Sequence, residues 1–263
     1  MKILKELWAY RGFIRGSVKR EFQLRYQKSM LGAAWNVINP LSMIFVYTVI
    51  FSKLMRTKLP GIEGQFSYSI FLCAGVLTWG MFVEVTSRSQ NVFIDNANLI
   101  KKLSFPRITL PVIVLLSSLI NFAIGFSIFI AFLLITGNFP GVLFLAVIPV
   151  LLIQIFFSVG LGITLGVLNV FFRDVGQFYG VILQFWFWFT PIVYSPSVLP
   201  DNLREWLQLN PLAAIMNAYQ QVFVMKMIPD WSSLFYPAAL GFLFCLCGIR
   251  LYKCWAGDMV DEL

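Results

Sequence analysis

Ile108 to Phe172 reads ITLPVIVLLSSLINFAIGFSIFIAFLLITGNFPGVLFLAVIPVLLIQIFFSVGLGITLGVLNVFF, 65 residues without one charged side chain. An α-helix rises about 1.5 Å per residue, so about 20 apolar residues cross a hydrocarbon core about 30 Å thick. The stretch is long enough to cross twice. Near its middle, Gly137-Asn138-Phe139-Pro140-Gly141 carries the residue types that reverse a chain. A membrane-spanning helical hairpin is the expected result.

Further charge-free runs lie on both sides of this hairpin: Ser29 to Ser52, Gly64 to Val83, Val175 to Pro200, Trp206 to Met225 and Ser232 to Ile249. The run from Trp206 is interrupted by Gln208, Asn210, Pro211, Asn217, Gln220 and Gln221, which leaves too little apolar length for a crossing and predicts a re-entrant or interfacial helix. The rest gives an all-α integral membrane protein of one domain over 1–263. A cytoplasmic interfacial helix over 1–30 precedes a bundle over 31–255. Its six transmembrane helices fall at approximately 33–53, 66–90, 108–136, 142–171, 176–194 and 232–252. Composition agrees: 59% of residues are hydrophobic and 12% charged, about half the charged fraction of a soluble domain. No cleavable leader is expected, because the first apolar run continues as a full span.

Six crossings put both termini on one side. Of the 20 Lys and Arg, 15 fall on the side of the termini and five on the other (Lys53, Arg56, Lys58, Arg204 and Lys226), so both termini are expected in the cytoplasm. Glu84 and Arg88, spaced i,i+4 at the inner end of the second span, read as a paired interfacial stripe. The absence of histidine excludes His-based acid/base and nucleophilic catalysis and His-containing metal sites. Cys73, Cys245, Cys247 and Cys254 lack metal-ligand spacing and read as packing residues. Neither catalytic, cofactor-binding nor metal-ligating residues are expected. With no phosphate-binding loop of the Gly-x-x-x-x-Gly-Lys-Ser/Thr type, any ATP that drives the protein is held as Mg-ATP by another chain.

Four segments carry candidate function. Tyr10, Ile14, Val18, Phe22 and Tyr26 recur every four residues, with Arg11, Arg15 and Lys19 one step on, which predicts a basic amphipathic helix along the inner membrane surface facing lipid headgroups or a partner; a disordered anchoring arm has the same composition. Asn96 to Arg107 holds two helical turns stopped by Pro106, capped by Asn96 or Asn98. Leu99, Ile100, Leu103 and Phe105 are placed to fill a partner's groove, and Lys101 and Lys102 to stay solvated; a simple surface loop is the alternative. Phe185-Trp186-Phe187-Trp188-Phe189, with Pro191 and Tyr194 beyond, offers ring faces for sugars or forms an interfacial belt. Between Ser195 and Trp231, Asp201 is placed to cap a helix through Trp206, and Asn210-Pro211 to break it. A second helix from Leu212 to Val224 follows, and the pair forms an outer gate or a rigid lid. Gly162 and Gly166, spaced as Gly-x-x-x-Gly, predict close helix packing.

Leu24-Arg25-Tyr26-Gln27-Lys28-Ser29, Leu31-Gly32, Trp35 and Asn39-Pro40-Leu41 resemble the opening motif of ABC-2 type permeases that export polysaccharides such as O-antigen, capsule and teichoic acid. Asn98-Leu99-Ile100-Lys101-Lys102, Phe105-Pro106, Phe172-Arg173-Asp174, Thr190-Pro191-Ile192 and Asn210-Pro211 continue the resemblance in order along nearly the whole chain. Gln27 and Gln220-Gln221 depart from it, standing where basic residues are common. The resemblance implies a homodimer in the bacterial inner membrane, worked by two copies of a separate ATPase, that moves a lipid-linked polysaccharide and does not bind nucleic acid. It further implies a path lined by Tyr47, Phe51, Phe185, Trp186, Phe189 and Tyr194, and a cytoplasmic mouth at Arg25, Tyr26, Lys28 and Trp35. ATPase coupling would fall to Asn98, Leu99, Lys101, Lys102, Phe105, Arg173 and Asp174, and an outer gate to Trp206, Asn210 and Pro211. A permease for small lipophilic drugs would share the fold without the opening motif. A membrane glycosyltransferase or acyltransferase would need convergent acidic groups, which the 12 scattered Asp and Glu do not supply.

Overall fold

The computed structural model describes residues 2–26, 34–50, 66–103 and 105–262, which are helical with short connections and contain no strand. Gln27, Lys28, Ser29, Leu31, Gly32, Phe51, Ser52, Lys53, Arg56, Lys58 and Gly64 lie outside the described residues. In chain order the helices are α1 (Lys2–Ala9), α2 (Arg11–Tyr26), α3 (Trp35–Tyr47), α4 (Ser67–Asp95), α5 (Ala97–Lys102), α6 (Thr109–Ile135), α7 (Val147–Phe171), α8 (Asp174–Phe189), α9 (Asp201–Gln208), α10 (Pro211–Gln220), α11 (Trp231–Trp255) and α12 (Met259–Glu262).

Among the described residues, four helices have the length and apolarity to cross a membrane: α4, α6, the continuous segment Gly141–Phe171 that ends in α7, and α11. The apolar helix over Trp35–Ile50 is shorter. The helix expected over 176–194 is α8, which stops at Phe189. Thr190 is extended (φ −105°, ψ 131°) because the ring of Pro191 disfavours helical geometry in the residue before it. At 16 residues α8 is about 24 Å long, short of a full crossing by itself.

The reversal at 137–141 has the anticipated chemistry. Gly137 (φ 69°) ends α6 in a Schellman arrangement: Asn138 N donates to Leu133 O (2.8 Å) and Gly137 N to Leu134 O (3.2 Å), which satisfies carbonyls that the helix leaves unpaired. Asp201 is the first residue of α9 and not its cap, which is Pro200. Asn210 does cap α10, its side chain accepting from Leu212 N.

The central helix is α4, buried along most of its length, with α3, α6, α7, α8 and α10 around it and α11 outside against α7. Small residues allow these close approaches. A Cβ on Gly160 would meet Cys245 N of α11 at 2.6 Å, and one on Gly166 would meet Ser89 O of α4 at 2.6 Å. Helix α10 is inserted into the bundle and does not lie on it: Leu212, Ile215, Met216 and Tyr219 are fully buried, and the turn after it sets Phe223 edge-on to Phe129 (5.3 Å). Gln154 joins three helices from inside, donating to Thr78 O of α4 (2.7 Å) and accepting from Tyr219 of α10 (2.8 Å). In hydrocarbon such groups have no water to turn to, so each must be paired.

The backbone contact at Gly160 sets a test. Gly160→Val should destabilise the detergent-solubilised protein by about 1–3 kcal/mol through overpacking. Gly80→Ala on α4, where nothing lies within 4 Å of the added carbon, should be neutral or stabilising by up to about 1 kcal/mol. Thermal unfolding of the two variants would separate these outcomes.

Candidate functional site

At the end of the bundle opposite the terminal helices, the decisive element is α8. Its residues Phe178, Val181, Ile182, Phe185, Trp188 and Phe189 recur at three- and four-residue intervals and are all exposed, forming one continuous apolar and aromatic stripe. Tyr179 and Leu183 are buried on the opposite side, while Trp186 and Phe187 turn inward, with Trp186 edge-on to Phe82 (5.5 Å) and Phe187 edge-on to Trp79 (5.7 Å). The five consecutive aromatics thus divide three outward and two inward. Facing the stripe across an open groove of about 960 Å³ is α9, which contributes Leu203 and Trp206; Trp206 is 71% exposed.

The C-terminal end of α8 would leave four carbonyls without helical partners. Here each has one. Trp186 O accepts from Thr190 Oγ1 (2.8 Å), Phe187 O from Thr190 N (3.2 Å), Trp188 O from Tyr194 Oη (2.9 Å) and Phe189 O from Asn210 Nδ2 (3.0 Å). Asn210 is the hub: its Oδ1 accepts from Trp186 Nε1 (2.8 Å) and Leu212 N (3.0 Å), and its Nδ2 also donates to Thr190 Oγ1 (3.0 Å), which uses the full capacity of an amide. Beyond α8, Gln220 Nε2 donates to Pro191 O (2.8 Å) and Tyr68 Oη to Val193 O (2.6 Å). The segment from Ser195 to Trp231 is therefore fastened to α8 by a fully satisfied polar bracket. Asp230 caps α11; hydrogen bonds from the Ser232 hydroxyl and backbone N–H hold its carboxyl below the usual carboxylate range.

At the end that holds both terminal helices, an inner hydrophobic cluster gathers Ile14 and Val18 of α2, Val92 and Phe93 of α4, Ile100 of α5, Leu110, Ile113 and Val114 of α6, Val167 and Val170 of α7 and Met259 of α12. The apolar row of α2, expected to face the membrane surface, packs at Ile14 and Val18 against the protein itself, while Arg11, Arg15 and Lys19 are exposed. Arg88 of α4 is shared by two carboxylates, Glu84 on its own helix (3.3 Å) and Glu21 on α2. Glu21 also accepts from Ser117 (2.8 Å) and Glu84 from Asn121 (2.7 Å), both on α6. The expected i,i+4 pair is thus part of a network across three helices.

Helix α5 spans Ala97–Lys102, with Asn96 at its N-cap position; the Asn96 side chain bonds back to Val92 O (2.8 Å) and does not cap. Of the four apolar residues expected to reach a partner, Ile100 is buried, Leu99 packs on the inner cluster, and Phe105 lies against Phe13 of α2 (5.2 Å). Outward there remain Asn98, Lys101, Lys102 and Leu103, the last 53% exposed. Arg173 and Asp174 are exposed at the turn into α8, with Asp174 in its first turn, where a helix N-terminus favours a carboxylate. Asn169 fixes that turn, accepting from Gly176 N (2.9 Å) and donating to Gln90 O (3.1 Å).

Among the other expected residues, Trp35 is exposed at the start of α3, and Arg25 and Tyr26 close α2. Tyr47 is half-buried against the core, while Phe45 projects outward. Tyr194 and Pro211 line the α8–α9 groove with Trp206 and Asn210. The expected list omitted Trp188, Phe178 and Phe45; helical spacing from Phe185 would have found the first two. Glu21, Ser117 and Asn121 carried no local signal, since their partners lie on other helices.

Residues 14–224 match the family model described as ABC-2 type transporter, and the chain belongs to this family. It is 30% identical to the O-antigen export system permease protein RfbA of Myxococcus xanthus, over all of this chain and 96% of that protein. It is 32% identical to an RfbA of Klebsiella pneumoniae over 78% of this chain and 77% of that one. The polysialic acid transport protein KpsM of Escherichia coli is 23% identical, over 89% of this chain and 90% of that protein. The chain is thus a multi-pass membrane protein of the ABC-2 type.

Asn210→Leu removes the bracket while keeping similar volume, leaving Trp186 Nε1 and Phe189 O unpaired. Stability in detergent should fall by about 2–3 kcal/mol, read by thermal unfolding. An unshifted midpoint would mean the bracket holds nothing.

Proposed function

We propose that this chain is the permease subunit of an ABC exporter that moves a lipid-linked polysaccharide across the bacterial inner membrane. The observation that carries the reading is the exposed stripe of rings along α8, backed by a bracket that leaves no backbone polar group of the helix end unpaired. A long polar glycan cannot dissolve in lipid and needs a continuous lined path. Ring faces hold sugars through their apolar C–H faces and tolerate many sugar identities, as aromatic platforms tolerate many bases on a sliding nucleic acid strand. The names of the relatives, O-antigen and polysialic acid export proteins, point to the same cargo class.

On this reading the chain crosses the membrane six times, α3 and α8 supplying the crossings that add to the four long helices. Both termini are cytoplasmic. Two copies face each other across the stripe, so that Phe185, Trp188 and Phe189, with Tyr194 at the outer end, line the lumen. Trp186 serves by orienting Asn210, and the α9–α10 unit with Trp206 closes the outer mouth. Two copies of a separate ATPase, holding Mg-ATP, engage α5 through Asn98, Lys101, Lys102 and Leu103, with Arg173 and Asp174 beside it. The exposed cations of α2 lie toward anionic headgroups. A permease for small lipophilic drugs needs no such ring ladder.

Replacing Phe185, Trp188 and Phe189 together by Ala should lower glycan export at least about fivefold with unchanged amounts of protein in the membrane; equal export would remove these rings from the path. Leu103→Glu combined with Lys101→Glu should cut co-purification of the ATPase by about tenfold. Retention of the ATPase by that variant would dissociate α5 from the contact.

A further inference from the structure

The two ends of the chain grip the same six-residue helix. From the N-terminal side, Ile14 and Val18 of α2 share the inner cluster with Ile100 of α5, and Phe13 packs on Phe105 just beyond it. From the C-terminal side, Met259 of α12 is fully buried in that cluster, α12 touches α5 and α7, and Arg107 donates a guanidinium hydrogen bond to the carbonyl of Ala256, where α11 ends. Phe171 and Trp255 meet edge to face at 4.8 Å, which secures the end of α11 to the end of α7.

A helix of six residues has one or two hydrogen-bonded turns and is too short to persist without tertiary support. If such a helix is pushed, it transmits the push only as far as its supports are stiff. Its partner-facing side is made of Asn98, Lys101, Lys102 and Leu103, none of which holds it to the rest of the protein. The holding contacts are those on its other side, and among the described, fully packed residues of the inner cluster Met259 is the one contributed from outside the spans, α2 and α5 itself.

We propose that the C-terminal segment 256–262 is a positioning element for α5, with Met259 as its anchor and the Arg107–Ala256 contact as its second point of attachment. The segment keeps α5 braced so that force applied there reaches the spans. Met259 touches neither nucleotide nor glycan in this account. It acts through Ile100, and its loss lets α5 yield in place of transmitting. The inference rests on the proposed role of α5 as the ATPase contact, but the bracing itself is measurable without the ATPase.

The test uses the full-length permease in lipid nanodiscs and the assembled exporter, with the variants Met259→Ala, Met259→Leu and Arg107→Gln. Amide hydrogen exchange on the permease alone should show residues 97–103 exchanging at least about tenfold faster in Met259→Ala than in the parent, with the spans unchanged and Met259→Leu close to the parent. In the assembled exporter, Met259→Ala should keep the ATPase bound and hydrolysing ATP but move several-fold less glycan per ATP, with Met259→Leu restoring the ratio. Arg107→Gln, which leaves the buried anchor in place, should shift both readings in the same direction by less. Unchanged exchange over 97–103 in Met259→Ala would overturn the bracing, and faster exchange with an unchanged glycan-to-ATP ratio would overturn its part in coupling. If Leu103→Glu with Lys101→Glu leaves the ATPase bound and export intact, the role of α5 falls instead, whatever the exchange rates show.

Discussion

A helix that ends within a membrane leaves carbonyls facing a medium that cannot hydrogen-bond them, at several kcal/mol each. This constraint governs the half of the molecule around the end of α8. Pro191 forces α8 to stop, and the resulting carbonyls at 186, 187, 188 and 189 are taken up by Thr190, Tyr194 and Asn210, while those at 191 and 193 receive Gln220 and Tyr68. Two of the polar residues that spoil the run after Trp206 as a spanning helix, Asn210 and Gln220, thus help to allow α8 to be interrupted. Because the donors come from Tyr68 of α4, Gln220 of α10, the α10 cap Asn210 and the residues just after α8, the irregular stretch is cross-braced to the central helix and keeps its ring-bearing face in a fixed orientation.

The half that holds the terminal helices is organised differently, around apolar packing and one shared cation. Arg88 belongs to α4, yet its two carboxylates come from α4 and α2, and those carboxylates are held in turn by α6. Removing one partner from such a network leaves charge without compensation, which is costlier than never having placed it there. The arrangement ties the N-terminal helix to the spans at a defined depth, beside the cluster that seats α5. The two ends of the molecule therefore meet α4 by unlike means: side-chain amides and hydroxyls outside, a hydrophobic cluster and ion pairs inside.

Much of this was legible in order along the sequence. Charge-free length gave the long helices, Gly137 and Gly141 the hairpin, Asn210-Pro211 the break, and Gly162-x-x-x-Gly166 a close packing seam, because each of these is a local property of a few consecutive residues. What escaped was set by partners distant in sequence. Apolar periodicity located the inner face of α2 but could not say that Ile14 and Val18 would meet protein and not lipid, since both accept the same side chains. For the same reason Leu99, Ile100 and Phe105 read as free to reach a partner, although the chain uses them for its own core. Pro191 marks the early end of α8, whereas the charge-free run from Val175 to Pro200 carries the expected span to 194. Glu21, 67 positions from Arg88, could not be paired with it from spacing.

Helix α4 runs 29 residues without a proline or a break, an unbroken helix of about 43 Å, longer than a hydrocarbon core is thick. Its upper part is clasped by α10 and its lower part leads into α5. For a helix of this length, a tilt of about 5° about its midpoint would carry each tip roughly 2 Å in opposite directions. A single unbroken spar thus joins the end of the bundle that seats α5 to the end clasped by α10.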